Sequence, residues 1–489
     1  MGVPDQVVIF GASGDLTGRK LIPALLRNHV AGALPRPIQV VGVSRSERSS
    51  EAWRAQLAEG IDPSLRDAFA AFAPHLHWVA ADATDRAEVE TLHTRLNALL
   101  QQADGHPDHS GRLCYLALAP SLFGPVVAAL SGAGMLASEP GATDGWRRVV
   151  VEKPFGTDLA SARALNRELL THLREDQLLR IDHYLGKETV QNLLSFRFQN
   201  AIFEPLWNRR HIESVEISVS ETVAMEGKRG AYYDKAGALR DMVQNHVLQV
   251  LALVAMEAPG SMRAEEVRNE KVKVFRALRP YNAQTAVRHA VRAQYDGYLD
   301  AYGVDPKSTT ETYVAIRASI DNWRWSGVPF FLRSGKALRK RFTEVVLNFR
   351  TPPIDLINGP LADAVCPLRP NTLRLRIQPQ EGVAWSFLVK EPGAGMNMRM
   401  AELGFDYADL GVTDIPDAYQ RLLLDGLGGT ATLFLRGDEV EAAWSFIDTI
   451  KAGWAEGDAP VHRYAPGSRG PQIADELFHG CEGTWSAGP

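Results

Sequence analysis

Two hydrophobic periods divide this chain, and each demands a different kind of sheet. In the first part the apolar runs are short and unbroken: Val7-Val8-Ile9-Phe10, Ile38-Gln39-Val40-Val41-Gly42-Val43, His77-Trp78-Val79-Ala80-Ala81, Leu113-Cys114-Tyr115-Leu116-Ala117-Leu118 and Arg148-Val149-Val150-Val151. Helical stretches such as Leu21 to Val30 separate them. A strand without a polar face is covered on both sides, so this part predicts a parallel, doubly wound α/β sheet. Further on the period changes. Glu213 to Glu221 and Thr372 to Ile377 alternate residue by residue, the pattern of strands that bury one face. With further strand candidates at Thr343 to Arg350 and Thr430 to Leu435, the second part predicts a larger α+β domain on one mostly antiparallel sheet. The switch falls between residues 178 and 190, giving expected domains of 1–181 and 182–489. No repeat or flexible linker separates them. The uncovered remainder of a large one-sided sheet suggests a partner subunit, hence a homodimer or homotetramer.

Composition narrows the class. At 489 residues, with 45% hydrophobic and 23% charged residues, the chain is long enough for two or three packed units and ordinary for a globular protein. Its 58 acidic against 53 basic side chains leave a formal charge of −5, with no basic face to suggest a nucleic-acid partner. Val247 to Met256 is half the length a membrane crossing needs, and no basic leader opens the chain, so no membrane partner is expected. The 3 cysteines (Cys114, Cys366, Cys481) are odd in number and scattered, which fits a reducing, cytoplasmic setting and no metal cluster.

Gly11-Ala12-Ser13-Gly14-Asp15-Leu16 follows the first apolar run and opens the first helix. Glycines there let the chain turn tightly and bring a pyrophosphate against backbone N–H groups at a helix start. This Gly-x-x-Gly spacing departs from the common Gly-x-Gly-x-x-Gly, yet its place at the head of an alternating α/β half argues for a Rossmann-type dinucleotide fold. The second run ends in Val43-Ser44-Arg45-Ser46, with no acid until Glu47. An acid at this point holds the ribose hydroxyls of NAD, whereas Arg45 suits the 2′-phosphate of NADP. A solvated loop arginine has the same sequence signature, and NAD is not excluded as a weaker second cofactor. Asp82 and Ala83 end the third run, where an adenine is commonly flanked; a helix cap explains Asp82 as well. In Glu152-Lys153-Pro154 the lysine stands at a strand's carboxyl end beside a proline whose bond can be cis, facing either a ligand or Glu152.

Two polar stretches stand in apolar settings. In Arg180-Ile181-Asp182-His183-Tyr184-Leu185-Gly186-Lys187-Glu188, a helix from Tyr184 onward puts His183 and Lys187 one turn apart. Two such cations suit a phosphate monoester between them, or a solvated helix start. In Arg240-Asp241-Met242-Val243-Gln244-Asn245-His246, apolar positions at helical spacing give a buried face that also carries amides, an acid and a histidine. His246 is the best general-base candidate, its ordinary pKa lying near neutrality; a hydrogen-bonded core histidine is the other reading.

Taken together these motifs resemble the glucose-6-phosphate dehydrogenase family from end to end. Arg333-Ser334-Gly335-Lys336 and Tyr464-Ala465-Pro466-Gly467-Ser468 add to the match. The resemblance implies that His246 is the base that takes the proton of the sugar's C1 hydroxyl, with Asp182 as its orienting carboxylate, and that hydride passes to the nicotinamide. It implies that His183, Tyr184 and Lys187 hold the 6-phosphate, and that Glu221, Asp241, Lys336 and Arg341 hold sugar hydroxyls or neighbouring groups. Lys20 and Lys153 fall where cofactor and sugar meet, and Arg45 takes the 2′-phosphate. Gly11, Ser13, Gly14, Asp15, Leu16, Asp82 and Ala83 complete the cofactor set. Three stretches depart from the family pattern: Thr17 in place of a smaller residue, a longer segment at Met225 to Ala231, and Gly426-Leu427-Gly428-Gly429-Thr430 in place of a more polar run. A related NAD-using hexose oxidoreductase and a catalytically silent NADPH-binding paralogue are the alternatives.

Overall fold

The computed structural model describes residues 3–354, 356, 370–411, 415–479 and 485–488, with the side chain of Lys228 excepted. Cys366 and Cys481 lie outside the described residues. The chain divides into two compact units. One comprises Met1–Lys187, Pro259–Arg268 and Pro416–Glu441; the other comprises Glu188–Ala258, Asn269–Ile415 and Ala442–Pro489.

In the first unit, β1 (Asp5–Phe10), β2 (Ile38–Ser44), β3 (Leu76–Ala80), β4 (Arg112–Leu116), β5 (Arg147–Val151) and β6 (Leu178–Ile181) pair in parallel in the order 3-2-1-4-5-6. That is the doubly wound dinucleotide-binding order, with the crevice at the carboxyl ends where the order reverses beside β1. Every residue of β1 is buried, as its unbroken apolar run requires. The expected strand at Thr430 to Leu435 forms only as Phe434–Leu435, and it extends this first sheet, antiparallel to β6. Its neighbours are buried cations that need acceptors: Arg268 Nε donates to the Phe434 carbonyl at 3.1 Å and Arg180 Nη1 to that of Leu435 at 3.3 Å.

In the second unit, β7 (Ile212–Ser220), β8 (Ala290–Tyr295), β9 (Tyr313–Ser319), β10 (Pro329–Gly335), β11 (Phe342–Phe349), β12 (Thr372–Gln378), β13 (Gly382–Lys390) and β14 (Met398–Asp406) join Val461–Tyr464 in a 9-stranded sheet. Its pairings are antiparallel except β7 with β10 and β8 with Val461–Tyr464. On β12 the burial alternates strictly, as its sequence demands. β7 departs from its one-sided pattern: eight of its nine residues are buried. The polar face is covered because its groups find partners. Asn348 Nδ2 donates to Ser214 Oγ at 3.0 Å and Glu216 Oε1 at 3.1 Å, Arg333 Nε donates to Ser218 Oγ at 2.9 Å, and the Ser486 N–H donates to Glu216 Oε2 at 3.0 Å. Hydrophobic period alone reads such a satisfied polar row as solvent-facing. Among the described residues, no helix is long and apolar enough to cross a membrane.

Candidate active site

At the carboxyl end of β1 the chain turns through Gly11, whose φ of 80° is open to glycine. A Cβ there would lie 2.3 Å from the Ala117 carbonyl oxygen, and one at Gly14 would lie 3.2 Å from that of Gly11. The turn is closed by the Gly14 N–H donating to the Gly11 carbonyl at 2.9 Å. Ser13, Gly14 and Asp15 are exposed, Leu16 is half-buried, and a cleft of about 400 Å³ opens beside them, walled by Gly18, Trp53 and Leu57. A backbone cradle stripped of side chains fits a pyrophosphate. The loop is tied to the end of β2 by Ser13 Oγ, 3.2 Å from Ser44 Oγ. The next residue, Arg45, is exposed, and its charge reaches Asp82 at the end of β3. Asp82 accepts from the Thr84 N–H at 2.9 Å and hydroxyl at 2.7 Å, which hold its carboxyl below the usual range. The cap of the following helix is Asp85, not Asp82, and Ala83 lies half-buried between them. Thr17 is wholly buried at the start of a π-helical turn, Thr17–Leu21.

Further along the same sheet, β5 leads into Glu152 and a cis Lys153–Pro154 bond. Glu152 is engaged by the hydroxyls of Tyr115 and Tyr419, the latter at 3.2 Å, and burial raises its pKa. Beyond β6, residues 182–187 form turns, with the Leu185 N–H donating to the Asp182 carbonyl and the Lys187 N–H to that of Tyr184; the helix starts only at Glu188. The expected helix from Tyr184 is therefore not formed. Asp182 makes the turn by accepting the Tyr184 N–H at 2.9 Å, the local bond by which an aspartate competes with helix. Asp182 and Tyr184 are buried and His183 and Lys187 half-buried. Lys187 Nζ sits 4.4 Å from the centre of the Tyr184 ring. Tyr419 lies parallel to the His183 imidazole, 6.4 Å away and tilted by 9°. Just before it, Asp417 caps the helix Ala418–Gly428 and pairs with Lys20 at 2.8 Å. These aromatic and acidic partners escape a linear reading, since Tyr419 stands far from His183 in sequence. Only the capping pattern Asp417-Ala-Tyr-Gln420 marks that segment.

The second unit contributes its own constellation. β7 and β10 run in parallel, so the residues that follow them emerge side by side: Lys336 Nζ is ion-paired with Glu221 Oε2. The Glu221 N–H donates to the Gly335 carbonyl at 3.0 Å and the Leu338 N–H to the Glu221 carbonyl at 2.8 Å, which locks the pair. Despite the longer segment at Met225 to Ala231, Glu221 is thus firmly placed. Lys336 Nζ also lies 5.2 Å from the Tyr233 ring centre. Tyr233 is buried, its hydroxyl has no hydrogen-bond partner among the described residues, and burial with Asp241 nearby pushes its pKa well up. Arg341 is exposed at the head of β11.

Asp241 and His246 ride on the π-helical segment Leu239–Val247, the first half-buried and the second fully buried. Its start is fixed by an unusual joint. Gly237 adopts φ 70° and ψ 167°, and a Cβ there would lie 2.4 Å from Glu311 Oε1. That oxygen accepts the Leu239 N–H at 2.9 Å, and burial raises the pKa of the Glu311 carboxyl. Neither Gly237 nor Glu311 carries a signal in the linear sequence. Asp182 belongs to the first unit and His246 to the second.

The first unit offers a phosphate cradle and a cationic turn, and the second an acid–lysine pair and a buried imidazole. Residues 8–192 match the family model for the NAD binding domain of glucose-6-phosphate dehydrogenase, and residues 194–486 match that for its C-terminal domain. The chain is 44% identical over 501 aligned residues to the glucose-6-phosphate 1-dehydrogenase of Treponema pallidum, covering 99% of this chain and 95% of that protein. With the Bacillus subtilis enzyme of the same name the identity is 41%, covering 96% of each. A solved glucose-6-phosphate dehydrogenase in complex with its substrate glucose 6-phosphate superposes with a TM-score of 0.88 at 34% identity, covering 99% of this chain and 98% of that one. The Mycobacterium avium glucose-6-phosphate 1-dehydrogenase superposes at 0.84 with 35% identity, over 99% and 98% of the two chains. This chain belongs to the glucose-6-phosphate dehydrogenase family.

Proposed function

We infer that this chain oxidises D-glucose 6-phosphate at C1 to 6-phospho-D-glucono-1,5-lactone, with NADP as the hydride acceptor. The observation that carries the reading is the full-length match to glucose-6-phosphate dehydrogenases. A bound nicotinamide supplies the acceptor of the hydride. The chain's own groups do the rest. His246, wholly buried, takes the proton of the C1 hydroxyl on an imidazole nitrogen, and Asp182 holds the opposite ring N–H and steadies the imidazolium. His183, Tyr184 and Lys187 grip the 6-phosphate, and this remote binding positions C1. Glu221, Asp241, Lys336 and Arg341 take sugar hydroxyls or neighbouring groups; the Glu221–Lys336 ion pair supplies an acceptor and a donor fixed relative to each other. Lys20 and Lys153 lie where sugar and dinucleotide meet.

Gly11, Ser13, Gly14, Asp15 and Leu16 cradle the pyrophosphate, Asp82 and Ala83 flank the adenine, and Arg45 selects the 2′-phosphate. The choice of NADP over NAD is supported by the exposed, acid-free turn at Arg45. Assembly as a homodimer or homotetramer is part of this reading, supported by exposed apolar Leu403 on the edge strand β14 and Val389 on its neighbour β13. A cytoplasmic setting goes with it, supported by the free, buried thiol of Cys114.

The test is the absorbance of newly formed reduced nicotinamide with glucose 6-phosphate and NADP, repeated with NAD and with unphosphorylated glucose. Fast reduction of NADP confined to the phosphorylated sugar is expected. A folded protein that reduces neither cofactor overturns the reading in favour of a silent NADPH-binding paralogue.

A further inference from the structure

The parallel sheet has a second end. Opposite the glycine loop, at the amino ends of β1 and β5, a cavity of about 390 Å³ is lined by Arg36, Arg147, Arg148 and Arg174 together with Trp146 and Gly428. That volume falls in the range of small-molecule sites. The acids on its wall are largely spoken for. Asp176 is held by Arg174 through bonds of 2.9 and 3.2 Å, and Asp5 accepts the Gly111 N–H at 2.6 Å while burial raises its pKa. Glu139 is the remaining acid, on the exposed rim.

Arg148 is the unusual member. Its guanidinium lies 4.1 Å from the Trp146 ring centre, and Nη1 donates to the Gly426 and Leu427 carbonyls at 2.8 and 2.9 Å. Among the described residues, Nε and Nη2 make no hydrogen bond and no carboxylate stands within ion-pairing distance of the side chain. Burial lowers its pKa to about 10, which leaves it cationic at neutral pH. Asp5 and Asp176 act on it only through space, each being bonded to another donor, and a partly desolvated cation with no carboxylate bonded to it gains from an anion that meets its free edge. The glycine run at Gly426 to Gly429, unexplained by the reaction, gains a reason here: a Cβ at Gly429 would meet Arg148 Nη2 at 2.4 Å, and Gly428 leaves the mouth open.

We propose that this cavity is a second ligand site, distinct from the nucleotide crevice, which binds a compact phosphate-bearing anion against the free edge of Arg148. The side-by-side Nε and Nη2 donors match two oxygens of one phosphoryl group.

The probe is radiolabelled inorganic pyrophosphate in equilibrium dialysis against the full chain, with glucose 6-phosphate and NADPH saturating so that the crevice is filled. About one further pyrophosphate per chain is expected. In R148M its affinity falls about tenfold or more, the loss of one charge-assisted pair. G428E places a carboxylate at the mouth, where an added Cβ meets nothing within 4 Å, and abolishes the binding without disturbing the fold. NADP reduction persists in both variants. Absence of the additional pyrophosphate, or its retention at parental affinity in G428E, overturns the proposal. Equal displacement by citrate overturns its phosphate specificity.

Discussion

The joint at Gly237 leaves no room for a side chain. Its backbone, at φ 70° and ψ 167°, occupies a region open essentially to glycine alone, and the Glu311 carboxylate fills the space a side chain would take. In G237A the backbone strain costs about 1–3 kcal/mol. The methyl, 2.4 Å from Glu311 Oε1, also displaces the acceptor of the Leu239 N–H; a buried group left unsatisfied costs about 1–3 kcal/mol more. The sum is about 2–6 kcal/mol, read as a lower urea midpoint of the second unit's transition. The activity should suffer separately. Leu239 opens the segment that carries Asp241 and His246, and a displacement of about 1 Å at the base lowers kcat by about a hundredfold. E311A removes the clash but not the backbone strain, so the G237A/E311A double variant should lose about 1 kcal/mol or more less than the two single losses added together. If G237A unfolds with the parent and keeps its kcat, or if the double variant is strictly additive, the joint does not set the helix start.

Three further outcomes are expected. H246N, a near-isostere without a titrating base, should lower kcat by about 10²–10⁴-fold while glucose 6-phosphate still binds; normal kcat with weakened binding refutes the assignment. R45A should raise the KM for NADP by about 10–100-fold and leave that for NAD within a fewfold, since only the 2′-phosphate loses a charged partner. Burial raises the folded-state pKa of Glu216 above its ordinary 4.5, so between those values the folded chain keeps a proton that the unfolded chain has released. Its contribution to stability is intact below pH 4.5 and is lost as pH rises through the folded value, at about 1.4 kcal/mol per pH unit within the window. E216Q cannot titrate, so urea midpoints of variant and parent should diverge as pH rises from 4.5; a constant difference refutes the shift.

Hydrophobic period carried most of the architecture. β1 reads as doubly covered from Val7-Val8-Ile9-Phe10 alone, and β12 as one-sided from its alternation, because burial on one or both faces is written directly into residue type. The phosphate loop was equally legible, since only glycine serves at Gly11, and so were the strand-end positions of Arg45, Lys153 and Glu221. Where a polar residue can choose its partner, the sequence was silent. Ser214, Glu216 and Ser218 alternate as a solvent face would, yet lie buried because Asn348, Arg333 and the Ser486 amide meet them. Asp182 sits before a helical-looking stretch, but its side chain captures the Tyr184 N–H and delays the helix to Glu188.

Residue type and order alone settle which segments become strands, which turn needs glycine, and which side chains are available for proton transfer and phosphate binding. These follow from local sterics and from the free energy of burying each side chain. Which distant groups meet is a matter of packing: Tyr419 against His183, Asp417 with Lys20, Glu311 beneath Gly237, Arg148 at the mouth of its cavity. Such contacts depend on how whole elements pack, and a buried polar group accepts any partner of suitable chemistry that the packing delivers, however far along the chain it lies.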